Sequence, residues 1–165
     1  MRVLPLAIVL PLAIAPVARS VIQPDPDHGP PDPNYTYMLV KDGGKSVQAA
    51  VGTYCVPSKA NPTVSTCHKA PAYPLAGAPN LTVSRGDQIT LRLKAPSGYV
   101  TWRAARVSGG TERSSATGEA QVLSPTKKSW RVTLPKNLSR KVTVLGFTVQ
   151  YLNAWNTYEV GIKVR

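Results

Sequence analysis

The chain has 165 residues, 42% of them hydrophobic and only 17% charged, which excludes a protein that is disordered throughout. Its 16 Pro and 12 Gly divide it into short elements and exclude a long helical bundle, and the length leaves no room for a two-domain enzyme. The net charge of +12, from 20 Lys+Arg against 8 Asp+Glu, points to anionic partners without naming one.

Residues 1–20 have the pattern of a secretory signal peptide. Arg2 provides the charged start, and residues 3–17 are almost wholly apolar and broken only by prolines. Small residues favour cleavage after Ser20; cleavage after Ala18 and an uncleaved signal anchor are the alternatives. No segment after residue 20 has the length and apolarity of a membrane span. We therefore expect an extracytoplasmic protein, either secreted or associated with the cell envelope.

Residues 21–34 form a predicted linker. Five prolines favour extended polyproline-like conformations, and the three aspartates of this segment have no basic neighbour within it. The segment is a solvated spacer, a stalk, or an acidic arm that folds back on the basic body.

From Tyr35 onward the apolar residues recur with a period of two, which is typical of half-buried strands. A hairpin is predicted around Asp42-Gly43-Gly44, with Tyr35, Tyr37 and Leu39 facing inward before it. Further strands are predicted at residues 47–51, 81–83, 88–94, 99–107, 120–123, 130–134, 141–151 and 158–164. In the 141–151 strand a slip in the apolar phase predicts a bulge at Leu145-Gly146.

Seven to nine short strands separated by frequent turn signals predict an all-β fold. We expect an antiparallel immunoglobulin-like sandwich over residues 35–165, with Trp102 in its core. A body of about 130 residues buries enough surface to fold without a metal.

Cys55 and Cys67 are the only two cysteines, and they follow an export signal, so we expect one disulfide. Their spacing does not fit zinc, which needs four ligands at closer paired spacings. The crosslink would close a 13-residue loop and contribute roughly 3 kcal/mol in the chain-entropy picture. The loop, which includes Lys59, is either a preorganised recognition loop or a segment that needs a staple to pack.

Gly52-Thr53-Tyr54-Cys55, the loop to Cys67, and the sequence from Leu81 to Leu91 resemble a group of secreted or surface proteins of Gram-positive bacteria. Those proteins carry a G-[ST]-Y-C-W motif ahead of an immunoglobulin-like sandwich, and Val56 stands here where they often have Trp. The resemblance covers about residues 47–165 and implies export and a β-sandwich. The biochemical function of that group is undefined, so the resemblance supplies no catalytic residues.

Catalytic chemistry has few residues to use in the body. His68 is its only imidazole, so acid–base or triad catalysis would have to depend on it. The five carboxylates include no pair with glycosidase spacing, and the Cys and Met of a cupredoxin copper site are missing from the C-terminal part. We therefore expect neither enzymatic activity nor a cofactor. The alternative is a small secreted enzyme or inhibitor that uses the Cys55–Cys67 loop.

Charge and aromatic placement instead favour binding. Six basic residues have outward phases in the predicted strands, and some of them are expected to share one sheet face: Arg92, Lys94, Arg103, Arg131, Lys163 and Arg165. This stripe either binds an anionic cell-wall polymer or polysaccharide, or is a solvated face that keeps the protein soluble. Export argues against nucleic acid as the ligand.

Trp155 is predicted at a loop tip within Asn153–Asn156. There it would stack on a sugar ring or enter a pocket of an envelope protein, unless it folds back on the sandwich edge. These observations together predict an exported, non-enzymatic binding or structural module at the cell envelope.

Overall fold

The computed structural model describes residues 31–70 and 74–165; the predicted signal peptide and residues 21–30 of the predicted linker lie outside these ranges. Within the two ranges, no helix has the length and apolarity that crossing a bilayer requires. The described chain forms twelve strands: β1 (Met38–Asp42), β2 (Lys45–Gln48), β3 (Ala50–Pro57), β4 (Ser65–His68), β5 (Asn80–Val83), β6 (Gln88–Leu93), β7 (Tyr99–Ser108), β8 (Thr111–Glu119), β9 (Gln121–Val122), β10 (Ser129–Thr133), β11 (Val144–Gln150) and β12 (Trp155–Val164).

The strands form two sheets whose buried side chains make one hydrophobic cluster. The smaller sheet has the order β2-β1-β6-β10-β9, and the larger has the order β4-β3-β12-β11-β7-β8. Neighbouring strands pair in antiparallel fashion, except that β5 runs parallel to the second half of β12. This arrangement confirms the predicted all-β sandwich.

The connectivity is that of an immunoglobulin-like sandwich. The hairpins β7-β8, β9-β10 and β11-β12 alternate with connections that cross from one sheet to the other. The orders β6-β10-β9 and β12-β11-β7-β8 therefore correspond to the two facing sheets of that architecture. The number of strands exceeds the predicted seven to nine because β4 and β8 were not predicted and the segment around residues 47–51 is divided between β2 and β3.

Trp102 on β7 lies in the core, as predicted. Its side chain is 7% exposed, and its partner on the adjacent strand β11 is Phe147, which is fully buried. On the other side Trp102 faces Gly118 of β8, where an added Cβ would lie 3.0 Å from the indole Nε1. A glycine at this position leaves space for the indole ring.

A buried polar cluster attaches the start of the domain to β12. The carbonyl oxygen of Tyr35 accepts hydrogen bonds from the hydroxyl of Tyr158 (2.7 Å) and from Nδ2 of Asn156 (3.1 Å). The hydroxyl of Tyr151 lies 3.2 Å from that of Tyr158, and its ring packs edge-on against the ring of Tyr35. Burial raises the pKa of both buried phenols, that of Tyr151 to about 12, so they stay neutral donors near neutral pH.

The predicted inward phase before the first hairpin is wrong. Met38 and Val40 are fully buried, whereas Leu39 and Tyr37 alternate with them on the other side of β1. Every residue from Tyr37 to Val40 is apolar or aromatic, so a period of two fits either phase. Lys41 decides between the phases, because an unpaired Lys is almost never buried.

The predicted bulge at Leu145-Gly146 is absent. β11 pairs without a register shift with both β7 and β12, and Leu145 and Phe147 point into the core. Val144 is buried on the opposite, outer side, where it lines a pocket together with Leu75. Because the segment at Leu75 covers the outer face, apolar residues occur on both faces of β11. The sequence pattern therefore resembles a phase slip. The bulges lie elsewhere, in the pairing of β3 with β12 and of β7 with β8.

The described end of the predicted linker contacts the sandwich. Pro31 forms a β-bridge with Ser58, and the N–H of Asp32 donates to the carbonyl of Pro57 at 3.0 Å. The side chain of Asp32 in turn accepts a hydrogen bond from the N–H of Asn34. The chain entering the domain is therefore fixed beside the end of β3.

The polar cluster predicts a stability loss for Tyr158→Phe. The substitution removes the shortest hydrogen bond to the Tyr35 carbonyl but leaves the one from Asn156, so we expect a loss of about 1 kcal/mol in the free energy of unfolding. Urea unfolding measures this loss. Tyr99→Phe is the control, because Tyr99 is 51% exposed. Equal stability of the Tyr158→Phe variant and the wild type would contradict the proposed role of the cluster.

Candidate functional site

The outer side of the smaller sheet collects basic side chains. Ile89, Leu91 and Leu93 of β6 are buried, so Arg92 between them faces outward. Residues directly opposite each other on paired strands share a face, and one such row is Lys41, Thr90 and Arg131 on β1, β6 and β10. The next row contains Arg92 between Leu39 and Ser129.

Lys94 extends this set at the end of β6. Its ammonium lies 4.7 Å from the centre of the Tyr37 ring, close enough for a cation–π interaction on the same outer side. Lys41, Arg92, Lys94 and Arg131 together form the basic face of the smaller sheet. Asp42 is the one carboxylate within the strands of this sheet, and it has the inward phase opposite Ile89. Burial, and to a lesser extent Asp87, raises its pKa.

Arg103 does not belong to the basic face. It lies on β7 of the larger sheet, opposite Gly146 of β11, and Gly146 is in turn opposite Glu159 of β12. Its Nε donates to Glu112 at 2.7 Å, and its Nη2 lies 3.4 Å from a carboxylate oxygen of Glu159. An added Cβ on Gly146 would lie 2.7 Å from the guanidinium carbon, so the glycine allows the arginine to cross β11. Among the six basic residues with predicted outward phases, Arg103 therefore does not share a face with Arg92 and Arg131.

Glu159 links this ion pair to the segment that covers the sheet. It is 5% exposed, and its second carboxylate oxygen accepts the N–H of Leu75 at 2.9 Å. Burial raises the pKa of Glu159; the bond from Leu75 and the charge of Arg103 act in the opposite direction, and Glu112 adds to the rise. Arg103 thus has two carboxylate partners, Glu112 and Glu159, and its charge is compensated within the protein.

The disulfide between Cys55 and Cys67 is confirmed. The two cysteines are directly opposite each other on β3 and β4, so the crosslink joins two paired strands at the edge of the larger sheet. On its other side Cys55 is paired with Trp155. The sequence alone predicts this disulfide, because the chain has two cysteines and a predicted export signal, which leave a single pairing.

Trp155 occupies a different place from the one predicted. It is the first residue of β12 and is half-buried, whereas Leu152 in the preceding turn is fully exposed. Trp155 and the disulfide line a pocket of about 280 Å³, together with Thr53, Tyr54, His68 and Lys69. The His68 ring stacks on the Tyr54 ring with 5.4 Å between centroids.

The loop that joins β3 and β4 is organised by its own hydrogen bonds. The hydroxyl of Ser58 accepts the N–H groups of Ala60 and Asn61, and the N–H of Ser58 donates to the carbonyl of Val64. Lys59 lies exposed in this loop. Lys59 is on neither outer sheet face, so it does not share a surface with the other predicted binding residues.

The structure therefore brings together three of the predicted binding residues, Arg92, Lys94 and Arg131. Lys163 is exposed on β12 of the larger sheet, and Arg165 follows at the end of that strand. Lys41 was missed because the predicted phase of β1 places it on the inward side. The requirement that every Lys be exposed selects the other phase and identifies Lys41.

In residues 31–70 and 74–165, no group of three or more His, Cys, Asp or Glu side chains is arranged to hold a metal ion. The chain matches no protein-family model, no curated protein and no solved structure. Assignment of the site therefore depends on its own geometry.

The network around Glu159 predicts a pH-dependent effect of Glu159→Gln. Because the folded pKa is raised, the contribution of this group to stability is full below its unfolded pKa and is lost as pH rises through the folded pKa. Gln keeps an acceptor for Leu75 and does not ionise. We expect the variant to gain stability relative to the wild type as pH rises from the unfolded pKa of a glutamate through the raised folded pKa, as measured by urea unfolding.

Glu119→Gln is the control, since it removes one exposed carboxylate from the same sheet. A Glu159→Gln variant that loses relative stability as pH rises would show that attraction to Arg103 outweighs the cost of burial.

Proposed function

We propose that this protein is an exported, non-enzymatic module of the cell envelope that binds an anionic wall polymer, such as teichoic acid, on the basic face. The observation that carries this proposal is the presence of four cations on the outer side of one sheet, without an outward-facing carboxylate on its strands. Lys41, Arg92 and Arg131 form no ion pair with any described residue. Their charges are therefore available to a ligand.

The spacing of these cations suits a polymer better than a small anion. Neighbouring strands are about 4.8 Å apart, so Lys41 on β1 and Arg131 on β10, two strands away, have backbones separated by about 10 Å. Arg92 lies between them on β6, one row along the sheet. A chain of regularly spaced phosphates can contact several of these side chains at once, and each contact releases counterions.

Export is supported by the signal-peptide pattern of residues 1–20 and by the resemblance of residues 47–165 to Gram-positive surface proteins. The Cys55–Cys67 disulfide is compatible with an extracytoplasmic location, because disulfides persist mainly in oxidising compartments. An export signal and a face of unpaired cations together favour an envelope role.

Charge reversal tests this proposal. The double variant Arg92→Glu/Arg131→Glu removes two cations from the basic face and adds two like charges toward a polyanion. We expect its affinity for purified teichoic acid to fall by at least about tenfold and the slope of log K against log salt to become shallower. Titration across a salt series measures both quantities.

The matched control is Lys59→Glu/Lys163→Glu, which changes the net charge equally at exposed sites outside the basic face. It should retain most of the affinity. Equal losses in the two double variants would contradict a localised site and attribute the binding to net charge alone.

A further inference from the structure

The outer face of the larger sheet carries a second feature, an aromatic row that the basic face does not explain. Trp155, Gln150 and Tyr99 are directly opposite one another on β12, β11 and β7, and Cys55 continues the row on β3. We infer that this row binds an extended neutral glycan that lies across the strands. Trp155 and Tyr99 are the residues on which its sugar rings stack.

The spacing of the two aromatic residues supports a glycan. One strand separates them, so their backbones lie about 10 Å apart, twice the distance between neighbouring strands. This distance is close to the disaccharide repeat of an extended β-1,4-linked chain, in which alternate rings present the same face. Tyr99 is 51% exposed, so its ring is open to a ligand. An amphipathic ring of this kind stacks on the apolar face of a sugar.

The neighbouring row supplies hydroxyl groups and a carboxylate. Thr157, Thr148, Thr101 and Glu119 are opposite one another on β12, β11, β7 and β8. Thr157 donates to the carbonyl of Thr53, whereas the hydroxyls of Thr148 and Thr101 have no hydrogen-bond partner among the described residues. Side chains that both donate and accept hydrogen bonds match the hydroxyl groups of a sugar.

A pocket lies on each side of this central part of the sheet. The pocket of about 280 Å³ at Trp155 and the disulfide is almost wholly apolar. The other, about 380 Å³, is lined by Thr101, Arg103, Thr148 and Glu119 among others. The row between them therefore connects an apolar stacking position with a groove whose lining includes Thr101 and Thr148.

Charge distinguishes this face from the basic face. Arg103 is paired with Glu112 and Glu159, so its charge is compensated within the protein. Lys69, which lines the pocket at Trp155, and Glu119, at the β8 end of the neighbouring row, have opposite charges. This balance suits a neutral ligand, whereas the unpaired cations of the other sheet suit an anionic one. The glycan site thus extends the proposed function and does not depend on it.

Binding of neutral β-1,4-linked hexasaccharides of glucose and of N-acetylglucosamine to the intact protein tests the inference by calorimetry. We expect one of them to bind, and Trp155→Ala and Tyr99→Ala each to weaken that binding by at least about tenfold, as for a stacking residue at the centre of an interface. Trp155→Phe should restore most of the affinity. Raising the salt concentration should change it little, because the ligand is uncharged.

Tyr37→Ala is the matched aromatic control, since Tyr37 lies on the outer side of the opposite sheet. It and Arg92→Glu/Arg131→Glu should leave hexasaccharide affinity unchanged, which separates this site from the basic face. Trp155→Ala could also disturb the strand pairs around the disulfide, so the exposed Tyr99→Ala carries the test if the melting temperature of the former falls. Absence of binding by both hexasaccharides, or an equal loss in Tyr37→Ala, would overturn the inference.

Discussion

The register of β11 within the larger sheet is the constraint on which the rest of the structure depends. This strand forms seven consecutive residue pairs with β7 and seven with β12, without a shift on either side. Because side chains alternate between faces, a slip of one residue would exchange the two faces of the strand. The observed register places Phe147 and Val149 in the core and Gln150 and Gly146 on the outer face. The aromatic row and the Arg103 network both follow from this register.

The two outer faces differ because carboxylates pair with Arg103 on the larger sheet, whereas the strands described for the smaller sheet have none facing outward. Glu112 and Glu159 both pair with Arg103, and this geometry requires a glycine at position 146, over which the guanidinium crosses from β7 to β12. The smaller sheet has no comparable outward acid on its strands, so Arg92 and its basic neighbours remain unpaired. A strongly basic chain thereby presents one sheet face with unpaired cations and another on which the charge of Arg103 is compensated. The first suits a polyanion and the second a neutral polymer.

The fold and part of the basic face follow from sequence alone, because both depend on strand alternation. Arg92 was placed correctly, since clear apolar neighbours on both sides fix the phase of its strand. Lys41 was not, because an unbroken apolar run before it fits either phase.

The inward phase predicted for Val144 is wrong for another reason. Val144 is buried by a segment far along the chain, near Leu75, and local periodicity contains no information about such a contact. β8 was missed because its polar residues carry no apolar alternation. Ion pairing between strands of one sheet, as between Arg103 and its two carboxylates on β8 and β12, depends on the tertiary structure.

In the proposed function and the further inference together, the two outer faces of the sandwich contact two different components of the same envelope. The most direct measurement is co-sedimentation with Gram-positive cell walls, intact and stripped of their anionic polymer, across a salt series. We expect strong binding to intact walls that falls steeply with salt, and a weaker binding to stripped walls that salt hardly changes. Absence of binding to intact walls at low salt would contradict a wall-binding role and make the positive charge a solubility feature.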